Sequence, residues 1–396
     1  MKQENCRLCL YPLGEPVLKF PDTPLANEFL KTKEEQDKFP LQVCCCEQCG
    51  HYQLNETVDP ERLFRHYLFV SGTSKVNVEH FRQYAIDLID QCKLDPGMQV
   101  LDIASNDGTL LKEFQKLGMK VLGIDPARNI ADQANKEGIE TIAEFFTEEY
   151  ADTILKQYGQ FELITANNVW AHVPDMIGFV KGIKKILAYN GVFIFEVSYF
   201  IDVCNNTLID TVYHEHSSYH TINPLISFFE KLDLKIVNVK HIDNHGGSIR
   251  VYVKNKTNIT NVFVSDEINP KELIEQLKIN IKKLGKDLNK ILKEYKAAGK
   301  SIAIYGTPAK ATTLMYALDV DESIIDFAVD DAPLKQGTFT PGKHIPVMPS
   351  SAIQEKNPDV LLVLAWNFAD SIMDKCRKSG YKGKFIIPLP ELRIIE

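Results

Sequence analysis

The chain has 396 residues, 44% apolar and 25% charged, an ordinary globular composition with room for two or three separate cores. A net charge of −8 argues against a general nucleic-acid or anionic-membrane surface, because such partners need a concentrated basic face. No apolar run approaches a membrane span and Met1-Lys-Gln-Glu-Asn-Cys6 is no leader peptide, so a cytoplasmic protein with reduced thiols is expected.

The first seventy residues are rich in Cys and Pro with only short apolar runs, too little core to fold without a staple. Cys6-x-x-Cys9 and Cys46-x-x-Cys49 provide one, since two paired-thiolate knuckles place four sulfurs around Zn²⁺. Four thiolates leave no open coordination position, so the expected zinc is structural; the alternative is four reduced thiols with no metal. Cys44 and Cys45 crowd the second knuckle and compete for the ion, whereas Cys92, Cys204 and Cys376 read as buried apolar residues.

From about residue 95 strands and helices alternate. The pattern predicts strands over 98–104, 120–124, 161–166 and 191–197, and helices over 109–117, 129–136 and 176–187. This is the rhythm of a parallel sheet with helices on both faces, in which ligands sit at the carboxyl ends of the strands. Asp102, Asn106, Asp107, Gly108, Asp125, Asn167, Asn168 and Glu196 all fall there. Asp125 ends its strand where a carboxylate accepts hydrogen bonds from a ribose diol, which suits both NAD and S-adenosylmethionine. A pyrophosphate favours G-x-G-x-x-G, yet only Gly108 remains, with Ala104 and Asn106 where glycines are expected. Acidic Asp102 and Asp107 suit a sulfonium, and a plain strand–helix turn is the third reading.

Downstream, Thr211-Val-Tyr213-His214-Glu215-His216-Ser217-Ser218-Tyr219-His220 crowds proton-moving side chains into ten residues, a composition for acid/base chemistry. A helix over 270–298 carries an apolar seam at Ile274, Leu277, Ile281, Leu284, Leu288, Ile291 and Tyr295. The seam covers about three heptads, which favours a core-facing connector over a dimerising coiled coil. Strands predicted over 301–305, 324–329 and 360–364 then mark a second, smaller α/β domain. Its Tyr305-Gly306-Thr-Pro-Ala-Lys310 turn is no P-loop, but a tight turn with Lys310 on the first turn of a helix suits a phosphate. The expected division is 1–70, 71–298 and 299–396.

Several motifs stand in order along nearly the whole chain: the Cys knuckles, Asp102-Ile-Ala-Ser-Asn-Asp-Gly108, Asn168-Val-Trp-Ala-His172-Val-Pro174, Tyr213-His-Glu-His216, His245-Gly-Gly-Ser248-Ile-Arg250, Tyr305-Gly-x-x-x-Lys310, and Lys335-Gln-Gly337 with Pro341-Gly342. In these the chain resembles the S-adenosylmethionine-dependent sugar C-methyltransferases of deoxysugar pathways. While the sequence leaves monomer and homodimer both open, the resemblance implies a zinc-binding N-terminal domain, a class I methyltransferase Rossmann-like domain and a C-terminal Rossmann-like α/β domain. It implies methylation at C3 of a nucleotide-linked 4-keto-6-deoxy sugar held between domains. His216 would be the base, assisted by Glu215, with Tyr213, Tyr67 and His172 close to the sugar. Asp102, Ala104, Asn106, Gly108, Asp125 and Asn167 would form the cofactor wall, with Phe146 packing the adenine. Tyr305, Gly306 and Lys310 would meet the nucleotide, and His214 and His220 would be structural or substrate-adjacent. The competing readings are an O- or N-methyltransferase on a nucleotide sugar, an NAD-dependent nucleotide-sugar epimerase or dehydrogenase, and a non-catalytic zinc-bearing scaffold.

Overall fold

A computed structural model of the chain describes residues 1–65, 67, 70–73, 75–256 and 270–396. The N-terminal part carries β1 (Pro16–Thr23), β2 (Phe39–Cys45) and β3 (Tyr52–Leu54), paired antiparallel in that order. Leu41 and Val43 alternate inward from β2, the period-2 pattern of a strand with one buried face. The two Cys knuckles share one backbone form. Leu10 N–H donates to Cys6 O at 2.9 Å and Gly50 N–H to Cys46 O at 2.8 Å, and both residues take positive φ (62° and 78°).

The central sheet is built from β4 (Gln99–Ile103), β5 (Lys120–Ile124), β6 (Thr141–Ile142), β7 (Phe161–Thr165) and β8 (Leu187–Ser198). The next strand, β9 (Ser218–Tyr219), leaves this sheet and pairs with β3, and β10 (Leu234–Ile242) and β11 (Ser248–Asn255) return to it. The order is β10-β11-β8-β7-β4-β5-β6; β4 to β8 run parallel, and β11 is inserted antiparallel between β8 and β10. β4 is apolar on both faces because helices cover both: Leu101 and Ile103 join one core, Val100 the other. The predicted strands and helices recur with small shifts at their ends. The two-residue β6 and the β10–β11 hairpin were outside the predicted set, β6 being too short to show a period.

The third sheet contains β12 (Ile302–Tyr305), β13 (Phe327–Val329), β14 (Thr338–Phe339), β15 (Pro346–Met348), β16 (Val360–Val363), β17 (Lys384–Ile387) and β18 (Arg393–Ile395). Their order is β14-β15-β13-β12-β16-β17-β18, parallel in the middle and closed by an antiparallel strand at each edge. The strand expected over 324–329 shortens to β13, because the N–H groups of Ile324 and Ile325 both turn back to Asp321 O.

The helix Pro270–Ala297 is the core-facing connector expected from its seam. Ile274, Leu277, Leu284, Leu288 and Leu292 are buried in one cluster with Leu18 of β1, Phe200 and Ile302 of β12. That cluster joins the first and third sheets through this helix and the helix Phe200–Asn205, which follows β8 of the central sheet. Among the described residues no helix is long and apolar enough to cross a membrane.

Candidate active site

The four predicted zinc ligands are brought together: the sulfurs of Cys6, Cys9, Cys46 and Cys49 lie within 4.8 Å of one another. Cys6 and Cys49 are 3.6 Å apart and Cys9 and Cys46 3.5 Å. Tetrahedral ligation at about 2.3 Å per bond needs edges of about 3.8 Å, so the residues fit a structural zinc. Cys44 and Cys45 stay in β2, outside this group, which resolves the expected competition. Cys204 and Cys376 are buried as expected, whereas Cys92 is only half-buried.

The turn after β4 is unusual. Ala104, Asn106 and Gly108 all take positive φ (56°, 52° and 72°), a conformation that costs Ala104 about 1–2 kcal/mol. A Cβ on Gly108 would stand 2.9 Å from Ile139, so only glycine fits there. Asp125 holds this turn: its Oδ2 accepts from Asn106 N–H at 2.9 Å and its Oδ1 from Ala127 N–H at 2.8 Å. Each oxygen keeps a lone pair for a further donor. Burial pushes the Asp125 carboxyl above its ordinary range. Asp102 is raised to about 7, by burial and then by the Asp125 charge, against a hydrogen bond from Thr165 Oγ1 at 2.6 Å. Asn167 follows β7, and Phe146 packs edge-on against Phe179 at 5.2 Å. The cofactor residues expected from sequence thus line one rim of the sheet, across β6, β5, β4 and β7.

The predicted acid/base residues also converge. Glu215, 3% exposed, accepts from Asn27 Nδ2 at 2.6 Å and from the Tyr67 hydroxyl at 3.2 Å. Burial raises its carboxyl to about 7, although both hydrogen bonds oppose the shift. His216 Nδ1 lies 2.8 Å from Thr211 O. A carbonyl only accepts, so Nδ1 carries the proton, and Nε2 of the neutral ring accepts from the Tyr213 hydroxyl at 3.0 Å. The His172 ring stands 4.9 Å from that of His216, and burial lowers its pKa to about 4, so it is neutral near pH 7. Burial holds the Tyr67 and Tyr213 phenols well above their ordinary range. His214 and His220 are structural: His214 Nε2 lies 3.2 Å from Phe39 O, and His220 is fully buried beside His51 and Trp170.

In the third sheet Lys310 stands on the first turn of the helix Ala309–Ala317, as predicted. Gly306 (φ 83°) lies so close to Ala365 that an added Cβ would meet it at 2.5 Å. Tyr305 is not brought to Lys310. Its ring is buried on the opposite face of β12 from Ile302 and Ile304, and its hydroxyl donates to Asp331 Oδ2 at 3.2 Å. Glu196 likewise departs from its expected place at a ligand rim: it is 1% exposed and held by Arg250 and His80.

Several site residues were absent from the sequence reading. Asn27 reaches Glu215 from the N-terminal part, and its only signal was one amide in an apolar run. Asp210 accepts from Trp366 Nε1 at 2.7 Å, and Lys310 opposes the rise that burial imposes on its carboxyl. Lys335 donates to Thr307 O at 2.8 Å, lies 3.5 Å from Asp330, and is depressed by burial while the charges of Asp330 and Glu215 oppose this. Lys335 and Arg250 belong to motifs quoted above for resemblance, to which no role was attached.

Three family models match successive parts of the chain. Residues 6–64 match the family of a proposed zinc binding domain, residues 78–239 a methyltransferase domain, and residues 243–390 a C-methyltransferase C-terminal domain. The chain is 31% identical to C-methyltransferase NovU of Streptomyces niveus, over 99% of this chain and 97% of that one. A ubiquinone biosynthesis O-methyltransferase of Xanthomonas campestris is 26% identical over 24% of this chain and 41% of its own length. Among solved structures, a methyltransferase from Clostridium acetobutylicum superposes with a TM-score of 0.37 at 15% identity, covering 46% of this chain and 93% of that one. The central sheet is that of a class I methyltransferase, and with its full-length identity to NovU the chain belongs to the C-methyltransferase family.

Proposed function

We propose that the chain methylates C3 of a nucleotide-linked 4-keto-6-deoxy sugar through an enolate, with S-adenosylmethionine as donor, in branched deoxysugar biosynthesis. The observation that carries this reading is the convergence of Glu215, Tyr67, Tyr213, His172 and His216 beside the cofactor rim, with the His216 tautomer set by Thr211 O.

Asp102, Ala104, Asn106, Gly108, Asp125 and Asn167 would hold the cofactor, with Phe146 on the adenine. Spare lone pairs on Asp125 and two acidic groups without a glycine cradle fit a ribose diol and a sulfonium. When bound, S-adenosylmethionine supplies an electrophilic methyl group. The protein's part is to make the sugar carbon nucleophilic. A C–H beside a ketone is acidic enough for a positioned base. His216 Nε2, released from the Tyr213 hydroxyl, takes the C3 proton, and the C–H electron pair passes into the ring as an enolate with its charge on the C4 oxygen. Tyr213, kept protonated by burial, donates to that oxygen once freed from His216, Tyr67 stays bonded to Glu215, and neutral His172 packs beside the base. Glu215, anchored by Asn27, sets the position of Tyr67. Lys310 with Gly306 would serve the nucleotide portion.

The test is exchange of the C3 hydrogen of the ketosugar in deuterium oxide with S-adenosylhomocysteine present. Wild type should wash in deuterium at C3. His216→Asn should lose exchange and turnover by about 10²-fold or more, while still binding the cofactor. Undiminished exchange in that variant would remove His216 as the base; methyl transfer without any exchange or C–C bond formation would leave an O- or N-methyltransferase.

A further inference from the structure

The cofactor rim contains an amide whose polarity is set from behind. Asn167 Oδ1 accepts twice, from the Tyr84 hydroxyl at 3.0 Å and from the backbone N–H of Glu196 at 3.1 Å. A backbone N–H only donates, so the amide cannot be turned over without setting donor against donor. Its Nδ2 is therefore the end left for a partner, and it is buried with none among the described residues. A buried donor without an acceptor is unfavourable, and at a strand end on the rim of the sheet a ligand can supply the acceptor.

The support behind this amide is rigid. Tyr84, 1% exposed, lies on the helix Lys75–Cys92 with the Arg250 guanidinium over its ring at 4.2 Å. Arg250 faces Glu196 across the β11–β8 pair and binds Glu196 Oε1 through Nε at 2.7 Å and Nη2 at 2.6 Å. His80, one turn before Tyr84, puts Nε2 2.9 Å from Glu196 Oε2. The Ser248-Ile-Arg250 end of the motif noted in the sequence thus has a physical task, clamping the strand whose N–H orients Asn167. The side chain of His245 lies outside the described residues.

We propose that Tyr84 is a positioning residue: it holds Asn167 so that only its N–H groups face the cofactor, and the group they meet is the carboxylate at the cofactor's amino-acid end. This rests on the cofactor reading above. The ribose acid Asp125 ends β5, the adenine segment follows β6, and β7 lies on the far side of β4 from both. The part of the cofactor that reaches Asn167 is therefore the end remote from adenine. Of the two groups there, an ammonium only donates and a carboxylate only accepts, so an amide restricted to donating selects the carboxylate.

Calorimetric titration of the full-length protein with two thioethers tests this: S-adenosylhomocysteine, which carries the amino-acid end, and 5′-methylthioadenosine, which lacks it. Asn167→Asp should weaken S-adenosylhomocysteine by about tenfold or more and leave methylthioadenosine within about twofold, since a donor to a charged acceptor is replaced by a like charge. Tyr84→Phe, which deletes one oxygen, should lower the affinity ratio in the same direction by about threefold, and it keeps the test open if the buried Asp prevents folding. A parallel loss of both ligands, or an unchanged ratio in both variants, overturns the proposal. Wild type that binds neither thioether overturns the cofactor reading itself, a result distinct from a failed ratio.

Discussion

Glu215 should weaken the fold it sits in, and the structure sets by how much. Its carboxyl moves from an ordinary 4.5 to about 7 because burial penalises the charge more than Asn27 and Tyr67 stabilise it. At about 1.4 kcal/mol per pH unit, that difference amounts to about 3 kcal/mol. The folded-state value is raised, so the native state binds the proton more tightly than the unfolded chain does. The associated stability is complete below pH 4.5 and is lost as pH rises through 7, leaving the ionised protein about 3 kcal/mol worse off. Glu215→Gln keeps the shape and an accepting oxygen for Asn27 but does not titrate. Wild type and variant should therefore be equally stable at pH 4.5, with the variant ahead by up to about 3 kcal/mol at pH 8. Urea unfolding followed by fluorescence at pH 4.5, 6 and 8 measures this difference, and comparing the two proteins cancels Asp102, which titrates in the same window. A difference that does not change with pH, or a variant weaker than wild type at pH 8, would refute the argument that burial dominates this carboxyl.

Removing Arg250 tests the clamp beneath Asn167. Arg250→Met leaves Glu196 as a buried carboxylate with His80 as its remaining partner, which should cost about 3–5 kcal/mol in thermal or chemical unfolding; a loss under 1 kcal/mol would show that water reaches Glu196. Zinc removal should act at a distance. Chelation, or Cys49→Ser, should loosen residues 1–60 to protease and lower turnover through loss of the Asn27 donor to Glu215, while cofactor affinity stays within about threefold, because the cofactor rim belongs to the central sheet. Full turnover in protein shown by metal analysis to lack zinc would break that link.

Much of this molecule was legible before any coordinates. The knuckle spacing named four ligands that do come within bonding reach of one ion, because two short C-x-x-C turns are local structures with one backbone form. The parallel sheet was readable because strands buried on both faces are continuous apolar runs and their connecting helices are periodic. The strand-end positions of Asp125 and Asn167 were readable from the strand pattern, although Asp102 lies within β4 and Glu196, near the end of β8, is spent on Arg250 and His80. Clustering in sequence also marked Tyr213, Glu215 and His216 as proton-handling groups. Apart from the meeting of the two knuckles, none of these readings needed a contact between residues distant in the chain.

Everything that did need one was decided by the tertiary structure. Asn27, Tyr67 and Lys335 gather around Glu215 from three parts of the chain, and no local pattern marks an amide, a phenol or a lysine as bound for a distant carboxylate. The same holds for Tyr305, whose strand-end position suggested a ligand contact until the β12 pleat turned its ring to the far face and Asp331 took its hydroxyl. The charge states follow the same division. Sequence supplies the type of each ionisable group, but the push of Glu215 and Asp102 to about 7 comes from burial, which exists only once the sheets and helices have closed over them. The sequence alone thus determined which chemistry is present and along which strand ends it lies. The fold determined which groups meet, which are already spent on one another, and which, like Asn167 Nδ2, are left for a ligand.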